Sequence, residues 1–398
     1  MIKTYEVQLT PTDDQIVLFK QHAGSVRWLW NQLLNHNVTK YETEKKFDFR
    51  FEMQRMLPGL KKEYPWLANT NSQSLQEQCI NLNNSLQRVI KKTGGFPRFK
   101  SKHTSVDSFV VPQHFNICNR SIKLPKIGRV HYNKQRPIEG KAKRLVVKCV
   151  NDKWFCYITC ELPDVPIRNS FIDQEVIGID VGIKDFAVLS SGTKYSNPKH
   201  LQKSEKLLKR NSRQLSNKVK GSANRLKARK CLSKLHRHVA NQRKDFQWKL
   251  VDSITKNYQV VAMEDLNISG MVKNRKLSKS ISSAGWGLFK TKLQHKLAQT
   301  GGFVFDIDRF APSTKMCSSC GTLNTDLTLK DREWNCSCGV HHDRDINAAV
   351  NIRNFGLHEI NRVGTTQIYA CGDNAVMLSL KQELESPLGD PTCSLDKW

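Results

Sequence analysis

Negative charge is scarce in this chain. Its 398 residues carry 36 Asp+Glu against 64 Lys+Arg, a formal net charge of +28. Such an excess favours a polyanionic partner, either nucleic acid or an anionic membrane surface. Long apolar runs are also missing, and none approaches the length of a membrane span. The opening M-I-K-T-Y-E-V lacks the charged-then-apolar layout of a signal peptide. Nucleic acid is therefore the expected partner, with no membrane, in a cytoplasmic protein. Without secretion a disulfide framework loses its setting, so the 12 cysteines are expected to be reduced or bound to metal. The length allows two or three domains with sizeable cores.

Along the chain, Tyr5, Val7 and Leu9 alternate as in a strand. T-P-T-D-D-Q then opens a helix, with Thr12 as N-cap and Gln15 as its capping-box partner. The pattern stays helical to about Lys92, with interruptions expected near Pro58 and Pro65. G-G-F-P-R-F-K (Gly94 to Lys100) breaks it and interleaves Arg98 and Lys100 with Phe96 and Phe99. Short strand-like periods run from Ser105 to Leu162, predicting a small β domain, a partly open barrel that residues 4–9 can join. Cys149, Cys156 and Cys160 fall at strand spacings that make no metal knuckle and read as buried thiols. P-D-V-P-I-R links to a second half. There, residues 201–250 hold 16 Lys+Arg against Glu205 and Asp245, half of the chain's net charge. Leucines give that stretch one apolar side and Gly221-Ser222 a turn, so an antiparallel basic hairpin contacting nucleic acid is expected.

Three acids share one kind of location. Asp180 ends the apolar run V-I-G-I-D, Glu264 ends V-V-A-M-E, and Asp345 heads the helical D-I-N-A-A-V-N-I. A carboxylate among β-branched residues is costly to bury unless it meets a cation. Asp180 alone also reads as an ordinary strand aspartate, solvated or paired with arginine. Strands joined by helices in this order suggest a sheet on which the three acids could converge, though spacing alone does not show the convergence. Their oxygens suit Mg²⁺ or Mn²⁺, and two such ions about 3.5–4 Å apart hydrolyse phosphodiesters. Asp185, Asp265 and Asp343 are neighbouring competitors, Asp343 as an N-cap-region anion and Asp265 as a loop cap. A firmer signal comes from C-S-S-C (317–320) and C-S-C-G (336–339), which fit four thiolates around a structural zinc in a ribbon. The second turn is one residue short, so His341 and His342 stand as alternative ligands.

These motifs resemble the TnpB family, transposon-encoded RNA-guided DNA nucleases related to type V CRISPR effectors. The resemblance runs from about Tyr5 to Ile352. It rests on G-F-P-R-F, G-I-D-V-G-I-K-D-F-A-V, E-D-L, K-N-R-K-L-S-K-S-I-S-S-A-G-W-G, the cysteine pairs and H-D-R-D-I-N-A-A-V-N-I. It implies an α/β plus β architecture. An RNase H-like RuvC nuclease domain with a zinc-ribbon insert would follow a β-barrel wedge domain carrying an inserted helical recognition domain. The expected boundaries are 1–10 and 94–165 for the wedge and 11–93 for the recognition helices. The nuclease would occupy 166–312, with the hairpin at 200–250, and 341–363; the ribbon would occupy 313–340. Residues 364–398 are expected to form a disordered tail.

The resemblance further implies a catalytic, Mg²⁺-binding trio of Asp180, Glu264 and Asp345, with the second aspartate of H-D-R-D taken over Asp343. Zinc would sit on Cys317, Cys320, Cys336 and Cys338. A guide RNA from the transposon end would pair with target double-stranded DNA, the protein reading only a short adjacent motif. Gln73 and Gln76 are candidates for that reading, because glutamine suits adenine edges. Arg98, Lys100, Arg210, Arg225, Arg229, Lys273 and Arg275 are the other expected nucleic-acid contacts. A monomer in a prokaryotic, nucleoid-associated setting is expected. A nuclease-inactive RNA-guided regulator on the same fold is the alternative. A transposase proper is a third reading, but no paired-histidine and tyrosine site for a covalent DNA intermediate is found.

Overall fold

A computed structural model describes residues 1–102, 105–133, 137–168, 171–328 and 331–363. The expected tail, 364–398, lies outside the described residues. Contacts divide the chain into two units, Met1–Asp164 and Val165–Trp398. No described helix is long and apolar enough to cross a membrane.

The first unit opens with strand β1 (Ile2–Thr10) and helix α1 (Asp13–Glu44). The Thr12 hydroxyl accepts from the Gln15 amide, and the Gln15 side chain accepts from the Thr12 amide, forming the anticipated capping box. α2 (Arg50–Glu63) and α3 (Ser72–Ile90) follow, separated by a 3-10 turn at Pro65–Asn69. Pro58 does not interrupt the helix, contrary to expectation; it lies inside α2. The first break falls at Lys45, which adopts the left-handed conformation (φ 55°) and ends α1. A proline costs one ladder hydrogen bond, and buried Met53 and Leu57 hold α2 together across it.

Six further strands complete this unit: β2 (Ser108–Val111), β3 (Asn116–Ile117), β4 (Ser121–Leu124), β5 (Gly128–Tyr132), β6 (Lys141–Val150) and β7 (Lys153–Glu161). β1 lies between β7 and β5 in one sheet of order β2-β6-β7-β1-β5-β4-β3. No pairing between β2 and β3 closes it among the described residues, so the expected barrel is an open sheet. Those ends are four- and two-residue strands, too short for much pairing. The core packs helix on sheet, with Phe19 edge-on to Trp154 at 4.8 Å and near Phe109 at 5.8 Å. Cys156 and Cys160 are fully buried and Cys149 half-buried, and burial raises all three thiol pKa values.

The second unit is built on a five-stranded sheet of order β10-β9-β8-β11-β12. β8 (Val176–Asp180), β9 (Asp185–Leu189) and β10 (Lys194–Ser196) form an antiparallel meander. The helical hairpin α4 (His200–Ser216) and α5 (Ala223–Asn257) follows, with Ser222 capping α5. β11 (Val260–Glu264) then pairs parallel to β8, and β12 (Phe303–Ile307) parallel to β11. Between them lie α6 (Ile268–Met271), α7 (Ser278–Ala284) and α8 (Trp286–Leu297). A small hairpin, β13 (Glu333–Asn335) and β14 (His341–Asp343), leads into α9 (Arg344–Val363).

Strand residues alternate between faces, and here the alternation sorts the partners. Ile177, Ile179, Val261 and Met263 pack with Leu250, Val251 and Ile254 of α5 and Phe289 and Leu293 of α8. Val176, Val260 and Ala262 group instead with Ile352 and Ile360 of α9. The α9 side is made for close approach. A Cβ on Gly178 would stand 2.1 Å from the Ala349 carbonyl oxygen, and one on Gly356 would stand 2.8 Å from the Ala262 Cβ.

Gly178→Ala is therefore expected to cost about 3 kcal/mol, because the obstructing atoms are backbone. Gly59→Ala, in α2 with nothing within 4 Å, should stabilise by about 0.5–1 kcal/mol. Denaturant unfolding of the two variants checks the contrast.

Candidate functional site

The same alternation brings the acids to one side. Asp180 continues the Val176–Gly178 face of β8, and Glu264 continues the Val260–Ala262 face of β11, so both lie on the side covered by α9. Met263 stands opposite Ile179; one step further along that register sets Glu264 beside Asp180. Asp345 is in the first turn of α9, four and eleven residues before Ala349 and Gly356, and therefore on the helix face that meets the sheet. All three acids sit at the carboxyl ends of parallel strands or the helix start beside them, where open α/β sheets hold ligands. The Asp180 carboxyl is pushed up to about 7, first by desolvation and then by the negative charges of Glu264 and Asp345.

Each acid has its own support. Glu264 accepts a 2.6 Å hydrogen bond at Oε1 from the Ser313 hydroxyl. Asp345 accepts at Oδ1 from Arg344 Nε (3.3 Å) and Nη2 (3.2 Å), and Arg332 Nη1 is 3.4 Å from Oδ2. Among the described residues, only the four-cysteine group has its ligand atoms all within 4.8 Å of one another. The three carboxylates do not form such a group. The competing acids are spent on structure. Asp343 accepts the Asp345 and Ile346 amides at 3.1 Å each and pairs with Lys194 at 2.5 Å, an N-cap role. Asp265 pairs with Arg309 at 2.6 Å. Asp185 accepts from Ser196 at the start of β9. Sequence reasoning missed Ser313, Arg332 and Arg344, because a supporting residue carries no spacing signal of its own.

The cysteine ribbon gathers Cys317, Cys320, Cys336 and Cys338. Cys317 and Cys338 sulfurs are 3.8 Å apart, and those of Cys320 and Cys336 are 3.5 Å apart. Four ligands about 2.3 Å from a common ion stand about 3.8 Å from one another, so the residues fit a tetrahedral divalent ion such as zinc. The thiols ionise unequally. Cys320 is held down to about 6, with the Thr322 hydroxyl as the first cause, while Cys338, against the lowering Val340 amide, is pushed up to about 12 by Cys336 and Cys320. A bound cation favours the ionised form of all four. His342 is buried, 4.8 Å from Trp334 between ring centroids, with Nε2 3.0 Å from Cys317 Sγ. It stands against one of the four sulfurs, where a supporting neighbour of a metal site would sit. His341 is exposed and bonds Asn335.

Comparison with known proteins settles the family. Residues 157–275 match the OrfB_IS605 model, described as "Probable transposase", and 286–352 match the Cas12f1-like TNB domain. Residues 1–46 match a model described as a helix-turn-helix domain, although here that stretch holds β1 and the single helix α1. A Streptomyces pristinaespiralis protein named "Putative RNA-guided DNA endonuclease" is 32% identical over 93% of this chain and 91% of its own length. The chain belongs to the TnpB family. A second relative bearing the same name, InsQ of Escherichia coli K12, is 30% identical over 88% of this chain and 91% of its own. The Cas12f1 chain of a cryo-electron-microscopy complex with sgRNA and target DNA superposes with a TM-score of 0.55 at 16% identity. That match covers 89% of this TnpB chain and 99% of the other, and at that identity it bears on the fold alone.

The nucleic-acid candidates of this TnpB chain differ in exposure and in the partners seen for some of them. Gln76, Arg98, Arg210, Arg229, Lys273 and Arg275 are exposed. Gln73 is half-buried and donates to Gln113 Oε1 at 3.1 Å. Arg225 clasps the hairpin turn through the Leu215 and Lys218 carbonyls at 3.0 and 2.8 Å. Lys100 lies over the Trp30 ring, its Nζ 3.7 Å from the centroid, while Asn31 bonds both its amide and its carbonyl. Burial, and then the charge of Arg27, lower its pKa to about 8.

Two outcomes follow. Zinc measured by elemental analysis should be lost in Cys336→Ser and retained in His342→Ala; loss in the histidine variant would make His342 a ligand. Below about pH 8 the buried Lys100 ammonium is a full cost to folding. As pH rises toward the ordinary 10.5, the folded state sheds that proton before the unfolded state does, and the cost is relieved. The stability of wild type relative to Lys100→Met should therefore rise between pH 8 and 10, as followed by denaturant titration. A pH-independent difference would contradict the assigned burial.

Proposed function

We propose that this chain is an RNA-guided DNA endonuclease of an insertion-sequence element, hydrolysing phosphodiesters through divalent metal held by Asp180, Glu264 and Asp345. The observation that carries the reading is the placement of the three acids on one side of the sheet, at the adjacent ends of β8 and β11 and the start of α9, with the raised Asp180 carboxyl in accord. A site that accumulates negative charge in a chain of +28 is suited to hard cations and to little else. The strand order β10-β9-β8-β11-β12, three antiparallel strands followed by two parallel ones, supports an RNase H-like RuvC domain. The names of the two relatives above supply the RNA-guided activity.

In this reading the chain's own residues bind and orient. Asp180, Glu264 and Asp345 would hold Mg²⁺, which supplies an activated water and neutralises charge on the scissile phosphate. Ser313 fixes Glu264, while Arg344 and Arg332 hold Asp345 in place. The lysines and arginines of α4 and α5 neutralise nucleic-acid phosphates, and guide pairing rather than side chains reads the target. The first unit's helices serve as the recognition lobe and its sheet as the wedge, with Gln73 and Gln76 facing the motif beside the target. Zinc on the four cysteines stabilises the ribbon and does no chemistry.

Plasmid cleavage with the RNA that copurifies is the test. Wild type should cut a target matching the variable 3′ end of that RNA, dependent on Mg²⁺. Asp180→Ala should cut at least about a hundredfold more slowly. Equal cutting by Asp180→Ala overturns the active-site assignment. Guided binding by wild type without cleavage would instead favour the nuclease-inactive regulator.

A further inference from the structure

Glu264 differs from its two partners in having one more rotatable bond, so it has the most freedom to lose before it can hold an ion in a fixed place. Its restraint is Ser313. That residue is 3% exposed and gives its hydroxyl hydrogen to Glu264 Oε1 at 2.6 Å, leaving Oε2 outside this bond. Ser313 is itself held. Its carbonyl accepts from Asn351 Nδ2 at 2.7 Å, and the same nitrogen donates to the Met316 carbonyl at 2.6 Å. Asn347, one helical turn earlier on α9, also donates to the Met316 carbonyl at 2.7 Å and accepts the Ser318 amide at 2.9 Å. Met316 precedes Cys317, so two buried asparagines fasten the first cysteine turn of the ribbon to α9. Among the described residues Asn351 Oδ1 is buried without a partner. The fold tolerates that cost in order to present both amide hydrogens to this segment.

We propose that Ser313 is a positioning residue for Glu264, and that Asn351 transmits the folded state of the cysteine ribbon to that carboxylate through Ser313. The inference rests on the metal-site reading above. It makes the ribbon a condition for metal binding some distance from it: if the first cysteine turn loosens, the Met316 and Ser313 carbonyls leave Asn351, and Glu264 loses its hydrogen-bond donor.

The guide-RNA complex carrying Ser313→Ala or Ser313→Thr tests it by two readouts, Mg²⁺-dependent cleavage and the Mg²⁺-induced rise in melting temperature. Ser313→Ala should lower kcat roughly 10- to 100-fold, leave the KM for DNA unchanged, raise the half-saturating Mg²⁺ concentration and diminish the melting shift. Its zinc content should stay at the wild-type level. Ser313→Thr keeps the hydroxyl and should recover most of both. Removal of zinc from wild type should diminish the melting shift as Ser313→Ala does, and should add little in that variant. A Ser313→Ala protein with wild-type Mg²⁺ dependence, or a threonine variant as impaired as alanine, overturns the positioning role. A full melting shift in zinc-stripped wild type overturns the link to the ribbon. Wild type that neither cleaves nor responds to Mg²⁺ would instead bring down the metal-site reading, and this inference with it.

Discussion

The close approach of α9 to the central sheet is the constraint on which the rest of the second unit depends. Gly178 and Ala262 on the strands meet Ala349 and Gly356 on the helix, with no room for a further carbon at either glycine. Because side chains alternate along a strand and recur every three to four residues on a helix, that contact also decides where the acids go. Asp180 and Glu264 extend the strand faces that carry the small residues, and Asp345 extends the helix face that meets them. Small residues in the middle of the interface thus bring charged residues together at its end.

Such a convergence is unfavourable by itself. The Asp180 carboxyl is desolvated and faces two other acids, and its raised pKa is the signature of that cost. The surrounding residues offset part of it without occupying the site. Arg344 and Arg332 reach Asp345 from the ribbon side, and Ser313 satisfies one oxygen of Glu264. The ribbon is a second cluster of ionisable groups, where Cys320 is held down and Cys338 pushed up. Asn347 and Asn351 tie it to the helix that carries Asp345, so the two sites share one scaffold.

How much of this was legible in the sequence follows from the range of each interaction. The local patterns were readable: the Thr12–Gln15 capping box, the strand ends at Asp180 and Glu264, the turn at Gly221-Ser222, the cysteine spacing. These depend on residues a few positions apart. Convergence of the acids was not readable, because it needs Gly178 to meet Ala349, 171 residues downstream by their numbers. Pro58 misled because proline penalises a helix interior without forbidding it when Met53 and Leu57 are buried beside it. The partly open barrel that was expected is an open sheet, because it ends in the short strands β2 and β3. Among the basic residues, sequence marks charge but not occupancy. Lys100 and Arg225 looked like Arg98 and Arg210 until their partners, Trp30 and the hairpin carbonyls, were in view.

The central claim is that Asp180, Glu264 and Asp345 form one site for hard cations. Its most direct measurement is Mn²⁺ binding to the full chain with its RNA, followed by electron paramagnetic resonance on wild type and on Asp180→Asn, Glu264→Gln and Asp345→Asn. A protein-bound Mn²⁺ signal in wild type that each single substitution weakens is the predicted result. Bound Mn²⁺ that is indifferent to all three substitutions would contradict it.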